Sequence, residues 1–310
     1  ENTWFAFTLW GFVVMPWLWA FATVPDLAGV CAAASWKTLA VTACCGFAWG
    51  VGTLCFGLGV SLVGMALGFS LMNGMTGALG TLVPMLVLQP EAFRTTAGQT
   101  ILAGVVLLFA GVGLCALAGH ERDRAGRRTG DTGKGAMRAG LFARGLLVCL
   151  VCGITSPMLN FAFVFGQELV QRAEAAGAAP AHAGNPVWCL TMSAAFVTTL
   201  SVCLVKMIRD RGWRRFVGNG AGRCWALTGV MGALWAGGIA LYGAGLSRLG
   251  PLAASIGWPL LMIATIMTGV CCGFVTGEWS GTGLRPRATL AAGLVTLAAA
   301  VVLIGAGNAR

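Results

Sequence analysis

Charged side chains are scarce throughout this sequence, and their scarcity excludes a water-soluble fold. Only 10% of the 310 residues are Asp, Glu, Lys or Arg, whereas 57% are hydrophobic and mean hydropathy is +0.83. Soluble domains carry about 25% charged residues. The apolar runs are nearly free of charge, and each suffices for the roughly 20 residues that cross a bilayer. The sequence therefore predicts an all-α, multi-pass membrane protein.

Carboxylates and histidines are also few, which argues against an enzyme, a metal site or a bound cofactor. None of the ten Asp and Glu residues lies deep in an apolar run, and both histidines, His120 and His182, lie in predicted loops. No nucleophile–base pair or metal-ligand set follows from this distribution. Cys149 and Cys152 lie inside an apolar run, where Cys acts as a small hydrophobe, so helix packing explains them better than redox chemistry.

Nine apolar runs are long enough to span the membrane. We predict spans at 3–24, 38–59, 62–88, 98–119, 139–164, 186–208, 224–246, 251–275 and 286–306. The polar stretch 120–138, rich in Arg, Gly and Asp, is predicted to be a cytoplasmic linker between two halves, 1–119 and 139–310. Residues 167–172 suggest a short interfacial helix.

Basic residues are concentrated on alternate loops, which predicts the orientation of the chain. Of the 20 Lys and Arg residues, 15 lie on one side, and the positive-inside rule places that side in the cytoplasm and the C-terminus in the periplasm. Individual arginines could also bind anionic lipid, but lipid binding does not predict the alternation. This topology explains the net charge of +10, so the charge is no evidence for nucleic-acid binding. The 15 residues are Arg122, Arg124, Arg127, Arg128, Lys134, Arg138, Arg144, Lys206, Arg209, Arg211, Arg214, Arg215, Arg223, Arg285 and Arg287.

An internal repeat relates the two halves. The segment from Trp49 to Gly64 matches that from Trp235 to Gly250 at an offset of 186, sharing Trp, aromatic, Ser and several Gly positions. A second match, Thr100 to Leu114 against Thr289 to Leu303, has an offset of 189. The repeated helices are separated by an odd number of crossings, so the second copy is inverted. Inverted repeats are typical of transporters, whose two halves expose one central site alternately to each side.

The repeat also predicts one more helix than the nine visible spans. The span at 139–164 has no partner about 186 residues earlier, and residue 1 is Glu rather than Met. We therefore expect a ten-helix protein of two inverted five-helix repeats whose first helix is missing from this chain.

Distinctive short segments occur at 47–52, 56–58, 62–68 and 140–154, at Trp258, and at Gly277-Glu278-Trp279 with Gly283, Arg285 and Pro286. In this order they resemble the third and fourth helices, the sixth helix, and the ninth helix with its following loop in the L-rhamnose–proton symporter family, which belongs to the drug/metabolite transporter superfamily. Residues 1–4 resemble the stretch before its second helix. Thr53, where an amide is expected, and Pro259 depart from the family pattern.

The resemblance implies proton-coupled sugar uptake through the bacterial inner membrane, with L-rhamnose or a related deoxysugar as substrate. Alternatives are export or exchange of another small metabolite and, less favoured, a non-transporting subunit or an intramembrane enzyme. The sequence does not specify the oligomeric state.

A sugar site needs aromatic faces and hydrogen-bonding groups inside the protein. Trp49, Thr53 and Phe56 share one helix face, and the second half repeats this spacing at Trp235, Ile239 and Tyr242. Packing along the Gly-rich helices is the alternative for the aromatics, and interhelical hydrogen bonding is the alternative for the asparagines. The candidate substrate-binding residues are Trp49, Thr53, Phe56, Asn73, Thr155, Ser156, Asn160, Trp235, Tyr242, Ser255 and Trp258.

Proton coupling needs a carboxylate that titrates near neutral pH. Glu278, at a span end beside Trp279, is the best visible candidate, and Glu168 is the second. An ordinary interfacial carboxylate near Arg285 and Arg287 is the alternative for Glu278, and the missing helix could hold the true proton site.

Overall fold

In the computed structural model the chain is helical along almost all of its described length. The structure describes residues 2–63, 65–88, 90–127, 139–210, 216, 220–249, 253–277 and 279–308. Their main elements are thirteen α-helices, a π-helical turn at Leu9–Val14 and a 3-10 turn at Pro90–Arg94. The α-helices are α1 (Asn2–Thr8), α2 (Met15–Thr23), α3 (Leu27–Ala33), α4 (Trp36–Val63), α5 (Met65–Leu88), α6 (Thr96–Arg127), α7 (Ala139–Thr155), α8 (Met158–Phe165), α9 (Gln167–Ala175), α10 (Asn185–Arg209), α11 (Ala221–Leu246), α12 (Ala253–Val275) and α13 (Leu284–Asn308).

Nine segments within the described residues are long and apolar enough to cross a membrane. Each overlaps one of the predicted spans, so the prediction of an all-α, multi-pass membrane protein is confirmed. The segments are Asn2–Thr23, Trp36–Val63, Leu71–Leu88, Thr96–Arg122, Ala143–Ala175, Asn185–Arg209, Ala221–Leu246, Ser255–Val275 and Leu284–Gly307.

The end of α6 differs from its prediction. The helix continues to Arg127, through residues 120–127 of the predicted linker. Hydropathy does not detect a helical extension made of polar residues. The end predicted from the apolar run therefore lies before the true end of the helix. Residues 128–138 lie outside the described residues. The short helix expected near 167–172 is α9.

Two prolines interrupt the spans that contain them. The first span winds as a π-helix over Leu9–Val14, with the Met15 N–H bonded to the Trp10 carbonyl, immediately before Pro16. The predicted span 139–164 is not one continuous helix, because α7 ends at Thr155 and α8 begins at Met158. Pro157 has no N–H to donate and disfavours helical backbone at Ser156, which explains the break.

The helices divide into two compact units, and each contains elements from both sequence halves. The first unit comprises Glu1–Leu54 and Met158–Gly250, and the second comprises Cys55–Pro157 and Pro251–Arg310.

Close backbone approaches at glycine hold the first unit together. A Cβ on Gly46 of α4 would overlap the carbonyl of Thr191 on α10. A Cβ on Gly232 of α11 would lie 2.7 Å from the Gly11 nitrogen in the π-helical turn. Small residues allow such contacts between membrane helices. They bring α4 against α10, and α11 against the first span.

In the second unit α6 and α13 pack as an antiparallel pair through glycines on both helices. A Cβ on Gly104 would lie 2.6 Å from Ile304, and one on Gly111 would lie 2.7 Å from Leu297. From the other side, a Cβ on Gly293 would lie 2.8 Å from the Cys115 sulfur. Side chains at these glycines would separate the two helices.

Candidate functional site

Three aromatic rings meet inside the first unit. The indoles of Trp49 on α4 and Trp235 on α11 are stacked, with centroids 5.9 Å apart and an interplanar angle of 11°. Phe12, in the π-helical turn, lies 5.1 Å from Trp49 and 6.4 Å from Trp235. Trp49 and Phe12 are buried. The repeat-related tryptophans are therefore brought together, as a site shared by the two halves requires.

A second group of rings surrounds a buried amide in the same unit. The Tyr242 hydroxyl donates to the Asn160 side-chain oxygen at 3.0 Å, and Asn160 is fully buried. The Trp188 ring lies 6.1 Å from Tyr242 and stacks on Phe163 at 5.2 Å. Asn160 and Tyr242 both belong to the second half of the sequence and form one polar contact.

A small cavity lies between α2, α10 and α11 of the first unit. Its volume is about 10 Å³, room for roughly one water-sized group. The Asn185 amide donates to the Thr23 hydroxyl at 2.8 Å. The cavity is lined by Pro16, Trp19, Asn185, Trp188, Met192, Ala236, Ile239 and Ala240.

Two buried indole N–H groups beside these rings lack a hydrogen-bond partner. Neither Trp188 Nε1 nor Trp235 Nε1 finds an acceptor in the described part of the chain. Burying an unsatisfied donor costs about 1–3 kcal/mol. These indoles are therefore donors suited to a polar ligand.

The predicted hydroxyl groups mostly bond to their own helices. Thr53 donates to the Gly50 carbonyl at 2.8 Å, and Thr155 donates to the Val151 carbonyl at 2.7 Å. The Ser156 oxygen lies 3.4 Å from the Cys152 sulfur, at the break between α7 and α8. Thr155 and Ser156 belong to the second unit and Thr53 to the first.

The remaining predicted binding residues all lie in the second unit. Phe56 packs against a buried cluster that includes Met72 and Cys149. Asn73 is half-buried on α5 and Ser255 is buried on α12.

Trp258, also in the second unit, joins α12 to α5. It is buried, and its indole N–H donates to the Thr76 carbonyl at 3.0 Å. A Cβ on Gly80 would overlap the indole. These contacts give Trp258 a packing role between the two helices.

Glu168 binds the start of α4. Its carboxylate accepts hydrogen bonds from the Ser35 N–H at 2.9 Å, from the hydroxyls of Ser35 and Thr38, and from Arg172 at 2.8 Å. Hydrogen bonds to the charged form of a carboxyl group stabilise that form. Glu278 lies outside the described residues.

The whole sequence has a recognisable relationship to known transporters. The profile of the L-rhamnose-proton symport protein (RhaT) family matches residues 1–310. The chain belongs to this family. The resemblance seen in the sequence is confirmed, and the RhaT family is one of transport proteins rather than enzymes.

Curated relatives carry the RhaT family name and extend along the whole chain. Proteins of Citrobacter koseri, Shigella sonnei and Klebsiella pneumoniae, each named L-rhamnose-proton symporter, are 25% identical to it. Each alignment covers 100% of this chain and 90% of the relative. No solved structure is significantly similar to the chain.

Sequence reasoning missed three residues of the first unit in this RhaT-family protein. Phe12, Trp188 and Asn185 lie in spans outside the two matched repeat segments, so no internal comparison singled them out. Pro186, beside Asn185, was a visible signal of the start of α10. Pro16, near Phe12, was a visible signal of irregular helix in the first span.

Proposed function

We propose that this protein is a secondary active transporter that takes up L-rhamnose or a related deoxysugar together with protons. Membership of the RhaT family supports sugar–proton symport, and the relatives' names supply the substrate. Its partners are then a monosaccharide, protons and the lipid bilayer. We place the protein in the bacterial inner membrane, with the Arg-rich loops in the cytoplasm and the C-terminus in the periplasm.

The observation that carries this proposal is the interior of the first unit, which combines aromatic faces with uncharged polar groups. Trp49, Trp235 and Phe12 offer rings on which the apolar face of a sugar can lie. Asn160, Tyr242 and Asn185 offer groups that bond sugar hydroxyls. Buried polar side chains in the described part of the chain are Thr, Asn and Ser only. This chemistry suits a neutral polyhydroxy solute better than an ion.

We propose that two inverted repeats, as in the drug/metabolite transporter superfamily, move this site between the membrane faces. Contacts between repeat-related helices support that arrangement. Gly104 approaches Ala300 and Ile304, whereas Gly293 approaches Gly111 and Cys115. The offset of 189 converts the first contact into the second: adding it to 104 gives 293, and subtracting it from 300 and 304 gives 111 and 115. The α6–α13 pair thus has the local symmetry that an inverted repeat requires.

The contacts of the first unit support the same symmetry. Trp49 and Trp235 correspond at the offset of 186, and they stack on each other. Gly46 and Gly232 are separated by the same 186 positions, and each approaches a neighbouring span closely. Two halves that correspond in this way can present equivalent faces to one substrate.

For the proton site we propose Glu278. Glu168 is the weaker candidate, because its several donors and Arg172 favour the ionised form. A carboxylate that carries protons must instead bind and release one near neutral pH.

Uptake into proteoliposomes tests the proposal. We expect radiolabelled L-rhamnose to accumulate when the lumen is made alkaline and to equilibrate without accumulation when the gradient is collapsed. Accumulation that ignores the gradient would argue against symport. Transport of another metabolite with no transport of any monosaccharide would favour an exporter or exchanger instead.

A further inference from the structure

The Trp188 indole is held rigidly, yet its N–H is left without an acceptor. Only 3% of Trp188 is exposed. Its ring stacks on Phe163 with an interplanar angle of 13° and lies against Tyr242. The ring position is therefore fixed on two sides. Nevertheless, Nε1 meets no acceptor in the described residues.

Two glycines lie close to this N–H. A Cβ on Gly243 would lie 2.7 Å from Trp188 Nε1, and one on Gly184 would lie 3.4 Å from it. Any larger residue at position 243 would therefore place its side chain against the donor. The same indole lines the cavity between α2, α10 and α11. A buried donor without an acceptor in the described residues, a fixed ring and a small cavity at the same indole together make a candidate hydrogen-bonding position.

Trp17, another tryptophan of the first unit, shows that the protein can supply an acceptor for a partly buried indole N–H. Trp17, on α2, donates its indole N–H to the Ser193 hydroxyl at 2.9 Å. Asn185, across the same cavity, donates to Thr23. The polar groups around Trp188 are thus engaged with protein partners, whereas its own N–H is not.

We infer that Trp188 donates its indole N–H to one hydroxyl oxygen of the transported sugar. The group that enters is uncharged, because buried polar side chains in the described structure carry no charge. It is also small, because the cavity of about 10 Å³ admits roughly one oxygen-sized group. This inference rests on the proposed function, and it makes Trp188 a specificity residue that distinguishes a sugar from its deoxy analogue at one position.

The test compares Trp188→Phe with Trp17→Phe in the full-length protein. Both substitutions keep an aromatic ring and remove one N–H, but only Trp17 has a protein acceptor. Equilibrium binding of radiolabelled L-rhamnose and the melting temperature in detergent are measured for each. We expect Trp188→Phe to weaken rhamnose binding by about two- to tenfold, the usual value of one neutral hydrogen bond. Its melting temperature should fall less than that of Trp17→Phe, because removal of an unsatisfied buried donor offsets part of the packing that is lost. Trp17→Phe should keep the wild-type affinity and melt at a lower temperature.

Monodeoxy analogues of rhamnose identify the hydroxyl. One analogue should bind equally to wild type and Trp188→Phe, because the oxygen that the indole contacts is already gone. Gly243→Ala, which crowds the N–H while retaining the indole, should weaken rhamnose binding in the same way. Unchanged affinity of Trp188→Phe for rhamnose and for every analogue would overturn the inference, as would a lower melting temperature with normal binding. Wild-type protein that binds none of these sugars would overturn the proposed function itself, and it is recognised before any variant is made.

Discussion

Four tryptophans of this protein differ in their hydrogen bonds, and in our proposal this difference separates packing from ligand contact. Trp17 and Trp258 donate to acceptors in the protein, whereas the buried Nε1 atoms of Trp188 and Trp235 have no acceptor in the described residues. The stacked pair Trp49–Trp235 belongs to the second class in our proposal. Its rings offer apolar faces, and Trp235 also offers a donor.

Replacing either stacked ring should weaken sugar binding. We expect Trp49→Leu and Trp235→Leu each to lower rhamnose affinity by about tenfold, because aliphatic side chains keep apolar volume but lose the aromatic face. Both variants should also melt at a lower temperature, since Trp49 is buried. Trp36→Leu is the control, because Trp36 is 80% exposed and should change neither property. Normal binding with reduced melting temperatures would show that the two rings pack the protein core and do not contact the sugar.

The two candidate carboxylates should respond differently to removal of their charge. We expect Glu278→Gln to abolish gradient-driven rhamnose accumulation while counterflow of rhamnose continues, because exchange does not require a proton cycle. Glu168→Gln should retain accumulation and melt at a lower temperature, since it loses the Arg172 ion pair and weakens the contact with the start of α4. If only Glu168→Gln lost accumulation, Glu168 would be the proton site and Glu278 would not.

At the scale of helices, α6 and α13 pack through contacts in which a residue of one helix and its repeat equivalent in the other helix make matching contacts. Gly104 and Gly293 correspond in the repeat, and each allows the opposite helix to approach. We expect Gly104→Ala and Gly293→Ala to destabilise the protein by similar amounts, about 1–3 kcal/mol each, because the added methyl groups overpack the interface. Thermal unfolding in detergent measures the effect.

Each helix also offers a matched control for this experiment. A Cβ on Gly113 of α6 or on Gly305 of α13 would meet no atom within 4 Å. Gly113→Ala and Gly305→Ala should therefore be neutral or slightly stabilising, by up to about 1 kcal/mol. Clearly unequal effects at Gly104 and Gly293 would argue against their equivalence.

The helices themselves were predictable from the sequence because each membrane span is a long run of apolar residues. The end of α6 at Arg127 was not, since residues 120–127 are polar and helical. The break after Thr155 was missed although Pro157 marks it, because the apolar run continues through the proline.

The candidate site was predictable where the repeat identified it or, as for Asn160, where a polar side chain lies within an apolar span. Trp49 and Trp235 were found because they occupy equivalent positions in the two halves, and Tyr242 follows Trp235 at helical spacing. Phe12 and Trp188 reach the site only through the packing of spans that are distant in sequence. The sequence also does not show that Ser35 and Thr38 lie beside the Glu168 carboxylate.

For the whole molecule, the proposed orientation predicts which loops and termini lie on each side of the membrane. We expect alkaline phosphatase fused after residue 310 to be active, because the C-terminus is proposed to be periplasmic. The same enzyme fused after Asp210 should be inactive, because this position adjoins the Arg-rich loop that the positive-inside rule places in the cytoplasm. The opposite pattern of activities would reverse the topology.

The contact between Trp49 and Trp235 has an evolutionary consequence. If the two halves arose by duplication of one shorter gene, the ancestral product would have assembled as two oppositely inserted copies, and this tryptophan would have met its own counterpart across a dyad. One codon would then have controlled both rings, so every substitution there would have acted twice. Fusion of the copies would free each ring to change alone.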